Sequence, residues 1–273
     1  MGRRCLASWR SRRRRRARLD RAPRRARTEQ AADSVLGVDV GPSCRDGRRV
    51  VAVRGTSHLG RQDPTMNPHL EVLPDQQQRA LLGLGTAAAA CGCYLGGGTA
   101  VALHLGHRRS VDLDWFTTQR LENPLELAQD LQRRGVDLRV NSVPRGSLLA
   151  EVSGVRVSFF EFGYPLLETP WIWPTFDCPL APLADLAAMK LLAVEQRGTK
   201  KDFVDLYAMG DRRYALSQML GMYQQKFSIA DTSRLRYSLC YFDDAEAEPM
   251  PEMLWAVSWA RMKRTLQDWV KSL

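Results

Sequence analysis

The sequence predicts an α+β fold, in which a mixed-direction α/β sheet is followed by a C-terminal helical bundle. Three observations predict it. Helical and alternating patterns interleave from Pro74 to Phe162, strand-like segments follow one another directly after Gly135, and beyond Pro182 every apolar pattern has helical spacing. With 273 residues, 44% of them hydrophobic, the chain is long enough to bury a sizeable core in one or two domains.

The organisation expected is an Arg-rich extension over 1–65, a sheet domain over 66–170 and a helical domain over 171–273. Residues 1–65 carry 18 Arg, no Lys and six acids, so that of 40 basic and 30 acidic residues 22 and 24 remain for 66–273. The formal charge of +10 therefore belongs to the extension, and the remainder is slightly acidic. Arg blocks with few apolar neighbours predict disorder there. Three readings of the extension stay open: a basic arm for nucleic acid, a targeting presequence, or upstream sequence preceding a start at Met66, where the charge profile changes. No apolar run approaches the ~20 residues of a membrane span. The Arg-rich beginning also lacks the apolar segment of a secretory signal, so a cytoplasmic protein with no membrane partner is expected. Six cysteines without repeated spacing, among them the C-x-C pair Cys91 and Cys93, read as free thiols.

Asp75 reads as the N-cap of a helix ending near Gly92. Tyr94-Leu95 is expected as a short strand, and residues 99–105 as a helix whose first turn holds the glycines. Over 111–116, Val111, Leu113 and Trp115 alternate with Asp112, Asp114 and Phe116, which predicts a strand with one chemical face. Asn123-Pro124 opens a helix to about Arg134, with Gly135 as its stop. Three strands follow over 136–143, 147–152 and 155–162, the last two as a hairpin. The Pro- and Trp-rich residues 164–182 read as an irregular connection. Helices are expected over 183–195, 200–209, 214–227 and 252–270.

Two features carry chemistry. Asp112 and Asp114 lie two apart on the expected strand, so their carboxylates leave the same face with backbones roughly 6–7 Å apart. That suits one divalent cation or a pair, with nucleotide phosphates and water as the remaining ligands. The preceding turn Gly96-Gly97-Gly98-Thr99 frees backbone N–H groups at a helix start for phosphate. An isolated D-x-D would read as the wet face of an edge strand; the glycine turn returning to the same edge favours a metal-dependent phosphate site. Lys190 is set in the apolar helix of Leu186, Ala187, Met189, Leu191 and Leu192, where a lysine on the inner side implies a purpose; the competing reading is a solvated lysine on the exposed stripe. Asp202 and Asp205 have a competing reading as helix-face acids pairing with Lys200, Lys201 or Arg197. His104 and His107 are three apart, but His107 falls beyond the helix end at Gly106, which argues against zinc.

Leu95-Gly96-Gly97-Gly98-Thr99-Ala100 followed by His107-Arg108-Arg109-Ser110-Val111-Asp112-Leu113-Asp114 resembles the polymerase-β-like nucleotidyltransferases. Within that superfamily it is similar to the AbiEii/AbiGii toxin family, in which GGTAL precedes HR-x-S-x-DLD-aromatic. A second block, Lys190 and then Arg197-Gly-Thr-Lys-Lys-Asp202-Phe-Val-Asp205-Leu-Tyr207, fits the same family, and the resemblance spans roughly 75–210.

The resemblance implies a polymerase-β-like nucleotidyltransferase core and transfer of NMP from an NTP to an RNA, tRNA-like, or protein acceptor. It implies Mg²⁺ or Mn²⁺, and a toxin with a cognate antitoxin as partner. Carried onto this chain, Asp112 and Asp114 would hold the metal, and Lys190 and Asp202 would complete the catalytic set. Gly97, Gly98, Thr99, Arg108, Arg109, Ser110 and Lys201 would hold the triphosphate. The superfamily pattern also implies a third acid on a later strand, where Ser158 stands; Glu151 and Glu161 are the candidates to replace it. A catalytically weakened nucleotide- or partner-binding protein is the alternative.

Overall fold

The computed structural model describes residues 67–273. The expectations for residues 1–65, with Cys5 and Cys44, fall outside the described residues. A 3-10 turn at Leu70–Val72 leads into α1, Asp75–Ala90. Pro74 rather than Asp75 caps it; Asp75 sits in the first turn, where a carboxylate favours the helix dipole. Strand β1, Tyr94–Leu95, is followed by α2, Gly97–Leu105, which stops at Gly106 with φ of 66°.

Next come β2, Leu113–Thr117, and α3, Pro124–Arg133. Asn123 caps α3 by accepting the Leu125 N–H, and Pro124 takes the first turn, where no N–H is needed. The expected strand over 111–116 thus begins later. Val111 is 48% exposed and Asp112 directly precedes the ladder, because pairing with the neighbouring strand starts at Leu113. Strands β3, Leu138–Ser142, β4, Ser147–Val152, and β5, Val155–Glu161, follow, with β4 and β5 forming the expected hairpin.

The connection expected to be irregular contains β6, Trp171–Trp173, and β7, Cys178–Leu180, paired antiparallel. The prolines obscure them. β7 meets β1 at Leu180, so the N–H that Pro179 lacks interrupts nothing, while Trp173, Cys178 and Leu180 are buried. The sheet has seven strands in the order β3-β4-β5-β2-β1-β7-β6. β2 runs parallel to β5 and β1 to β7; the other neighbours are antiparallel. Because β6 and β7 lie beyond residue 170, the sheet draws on both sides of the 170/171 division.

Six helices complete the described residues: α4, Leu183–Gln196; α5, Lys200–Arg212; α6, Leu216–Phe227; α7, Ser233–Ser238; α8, Asp243–Glu246; and α9, Trp259–Lys271. The helix expected over 252–270 is thus shorter. Pro249 and Pro251 keep the preceding stretch extended, and Met253 forms an antiparallel bridge with Arg108. α4 packs on α2, α5, α6 and α7, and α5 packs on α2 and α9. The helix that carries the glycine turn is therefore wedged between sheet and bundle.

One sheet face is apolar and buried, with Leu113, Trp115, Leu148, Ala150, Val157 and Phe159 in register and α1 and α3 packed on the sheet. The other face presents Asp114, Phe116, Arg156, Ser158, Phe160, Leu149 and Glu151, all partly or fully exposed. A buried ion pair closes the far side. Lys226 donates to Asp185 at 2.6 Å and to the Pro165 carbonyl at 2.9 Å, and Asp185 accepts the Leu167 N–H at 3.0 Å, which pins the loop after β5 to α4 and α6. Among the described cysteines, Cys91, Cys93, Cys178 and Cys240 are free thiols, and burial pushes Cys93 and Cys178 up to about 12. No helix among the described residues is long and apolar enough to cross a membrane.

Candidate active site

The glycine turn and the carboxylates meet. The Gly96 N–H donates to the Asp114 carbonyl at 2.8 Å, which ties the turn to β2. Gly97 has φ of 62°, and a Cβ there would stand 2.6 Å from Asp114 Oδ2. Backbone and carboxylate are thus in direct apposition, at the start of a helix whose first N–H groups lack intrahelical partners. Gly97→Ala is expected to cost about 1–2 kcal/mol of stability, from the left-handed backbone and the displaced carboxylate, measured by urea denaturation.

Burial and the neighbouring Asp112 raise the Asp114 carboxyl above its ordinary value; the positive Lys190 and Arg197 and a hydrogen bond from Ser158 oppose that rise. Asp112, its side chain 35% exposed, is paired with Arg156 at 2.8 Å. Thr99 and Ser110 serve the scaffold. Their hydroxyls bond each other at 2.6 Å, and the Thr99 hydroxyl donates to the Asp112 carbonyl, so both are buried in a knot between α2 and the approach to β2. Their hydroxyls are thus engaged within the protein, while the Thr99 backbone N–H lies in the first turn of α2.

Beneath the turn lies a buried cluster of charge. Asp205 accepts from Arg108 through both oxygens, at 2.7 and 3.0 Å, from His107 Nε2 at 2.8 Å, and pairs with Lys190 at 2.7 Å. Asp202 accepts from Lys190 at 3.0 Å, from Arg197 at 2.9 Å and from the Thr199 hydroxyl at 2.7 Å. A side chain at Gly98 would run into the Arg108 guanidinium. Burial alone would lift the Asp205 carboxyl, but Arg108, Lys190 and His107 hold it well below the usual range. Asp202 is likewise lowered, to about 2, burial being outweighed by Lys190 and Arg197. Lys190 stays raised against its burial because two carboxylates surround it. Burial lowers His107 despite the Asp205 contact, so it is neutral at pH 7 with its Nε2–H on the carboxylate.

The structure therefore gathers Asp112, Asp114, Gly97 and Gly98 at one surface, with Arg108, Lys190 and Asp202 directly behind. Asp205 does not pair with Lys200 or Lys201 along its helix; it is the hub of the cluster. Arg109 pairs with Glu252 at 2.7 Å on the strap before α9, and Lys201 is exposed on α5. Arg156 and Arg197 were not among the expected site residues. Arg197 is 64% exposed beside Asp114 and Asp202, and its place next to the Gly198 turn of the second motif block was the available signal.

Ser158 stands opposite Asp114 in the β2–β5 register, so the third position of the expected acid set holds a hydroxyl. Neither glutamate takes its place. Glu151 faces Arg156 from β4, with β5 between it and Asp112, and Glu161 lies at the end of β5, accepting the Leu121 N–H at 2.9 Å. Among the described residues no group of three His, Cys, Asp or Glu could hold a metal ion. The donor set is two carboxylates, which fits a hard cation completed by water and phosphate oxygens, the habit of Mg²⁺.

A carboxylate pair at the start of the central strand β2, apposed to a glycine turn that opens a helix, is an arrangement suited to the transfer of phosphorus-containing groups. The sequence signature of the family described as "Nucleotidyl transferase AbiEii toxin, Type IV TA system" matches residues 122–271, and the chain belongs to that family of nucleotidyltransferases. The match begins downstream of Asp114. An uncharacterized protein of Aquifex aeolicus (strain VF5) is 34% identical over 179 residues, 64% of this chain and 86% of that protein. Among solved structures, JHP933 from Helicobacter pylori has 14% identity and a TM-score of 0.47, covering 73% of this chain and 92% of that one. MenT4, a nucleotidyltransferase toxin of Mycobacterium tuberculosis H37Rv, has 14% identity and a TM-score of 0.46, covering 72% and 82%.

Proposed function

We propose that this nucleotidyltransferase moves NMP from an NTP to a hydroxyl of an RNA or protein acceptor in the cytoplasm, as the toxin of a toxin–antitoxin pair. The observation that carries this reading is the apposition of Asp114 to Gly97, with Asp112 beside it on the open sheet face. Asp112 and Asp114 would hold Mg²⁺ or Mn²⁺, which would supply positive charge for the pyrophosphate leaving group and for ionisation of the acceptor hydroxyl. The backbone N–H groups of Gly97 and Gly98 bind phosphate with the positive end of α2. Lys190 and Arg197 place positive charge next to Asp114, which favours its ionised form against the burial that opposes it. Asp202 orients both cations. Ser158, opposite Asp114 on β5, favours the ionised form of that carboxylate. In this reading residues 66–170 supply the transfer surface together with His107 and Arg108, and 171–273 supply Lys190, Arg197, Asp202 and Asp205 of the cluster that supports it.

Incubation with each labelled NTP and total RNA tests the proposal. Label transferred to RNA or protein and requiring a divalent cation supports it; transfer that continues in EDTA overturns the metal-dependent chemistry. Ser158 in the third acidic position favours a second reading, a protein that binds nucleotide and turns it over feebly. In that case calorimetry would register NTP binding without label transfer, and Ser158→Asp would raise transfer.

A further inference from the structure

The open sheet face carries a row of alternating charge. The register sets Arg139 opposite Glu151 and Glu151 opposite Arg156, and Arg156 Nη2 reaches Asp112 Oδ1 at 2.8 Å. Read across β3, β4, β5 and the approach to β2, the row runs Arg139, Glu151, Arg156, Asp112. Residues directly opposite on adjacent antiparallel strands have Cβ atoms about 4.5–5.5 Å apart, so one arginine side chain spans the distance to a carboxylate on either neighbour.

The row lies beside the two carboxylates that the proposed function assigns to a divalent cation, and the inference rests on that reading. Asp112 already has a cation on it. The Arg156 side chain is 74% exposed, on the open sheet face near the start of β5 rather than sealed into the core, and its partner Asp112 remains 35% exposed. An exposed monocation of this kind is weakly held, whereas a divalent ion bridging two carboxylates meets twice the charge and a second ligand. Glu151, which the register excludes as a third catalytic acid, stands on the opposite side of the same arginine. In the next row, Asp114, Ser158 and Leu149, the one acid is Asp114, which the proposed function also assigns to the cation, so Glu151 is the carboxylate left for Arg156 to turn to.

We infer that Arg156 is a positioning residue that acts through Asp112: it neutralises that carboxylate in the metal-free protein and transfers to Glu151 when a divalent cation binds. The exchange breaks one ion pair and forms another, with no proton moved. It sets the affinity of the site for metal, and it keeps the two carboxylates from repelling each other before metal arrives.

The test is Mn²⁺ binding to the full chain without nucleotide, read from the EPR signal of free Mn²⁺. Arg156→Gln is expected to bind Mn²⁺ roughly 5–10-fold more tightly than wild type, since the competing cation is gone, and Arg156→Lys to bind near the wild-type level. Glu151→Gln is expected to weaken binding roughly threefold, because the guanidinium then has no second carboxylate. Arg139→Gln, in the same row without contact to Asp112, is expected to stay within about twofold of wild type. Unchanged or weaker binding by Arg156→Gln overturns the inference, as does equal tightening by Arg139→Gln, which would mean a general field and not an exchange of partners. Failure of the functional reading shows differently. If Asp112→Asn and Asp114→Asn bind Mn²⁺ as wild type does, the carboxylates hold no cation and both proposals fall. If those variants lose Mn²⁺ while Arg156→Gln changes nothing, only the exchange is wrong.

Discussion

Asp114→Asn is expected to reduce nucleotidyl transfer by roughly 10³-fold or more while leaving the fold at least as stable as wild type at neutral pH. The loss of activity follows from removing one of two carboxylates in a site that has no third. The stability follows from the environment of Asp114. Burial and Asp112 raise its carboxyl above the unfolded value, so the stability it contributes is present below that value and is lost as pH rises through the folded one. Once ionised, the group opposes folding relative to its neutral form, and asparagine removes that opposition. Label incorporation and thermal denaturation, each without metal and with 5–10 mM Mg²⁺ as about the usual range for such ions, check both halves. Mg²⁺ is expected to raise the melting temperature of wild type and not of Asp114→Asn. A variant that transfers label normally removes Asp114 from the site. One that melts far below wild type makes the residue structural.

Asp205→Ala has the largest expected effect on stability, a loss of about 3–5 kcal/mol, because it leaves Arg108 and Lys190 buried without their shared counter-charge. For a chain of this size that lowers the melting temperature by roughly 6–20 °C. Activity is expected to fall with it even at temperatures where the variant is folded, since Arg108 lies directly behind Gly98. A shift below about 1 kcal/mol would mean that the cluster is no keystone. The same cluster sets the acid response. Asp202 and Asp205 are lowered in the folded state, so their stabilisation is complete above the ordinary carboxylate value of about 3.9 and is lost as pH falls from there toward 2. Wild type is therefore expected to lose stability more steeply than Asp205→Ala between about pH 4 and pH 2 in denaturant titrations.

The fold was largely legible where patterns are local. Alternation over Leu113 to Phe116, the Asn123-Pro124 start of α3 and the turn between β4 and β5 each depend on neighbours a few residues away, and the structure realises them with shifts of a residue or two. β6 and β7 were hidden because their prolines signal loops, and only the short length of β1 makes the missing N–H harmless. The helix expected from residue 252 starts at Trp259 for a converse reason: its apolar spacing is helical, but the strap is claimed by backbone bonds to His107 and Arg109.

Residue types and spacing alone pointed to a glycine turn and a carboxylate pair as the candidate chemical centre, and the motif order identified the family to which the chain belongs. Those signals lie within short stretches of chain, where backbone periodicity dictates which side chains share a face. Which cations meet which acids was decided only in three dimensions. Asp205 joins His107 and Arg108 across nearly a hundred residues, Asp112 takes its arginine from β5, and Thr99 and Ser110 turn inward to each other rather than out to phosphate. An ion pair has no sequence period. It depends on burial and distance, and both are set by how α2 is wedged between the sheet and the helices behind it.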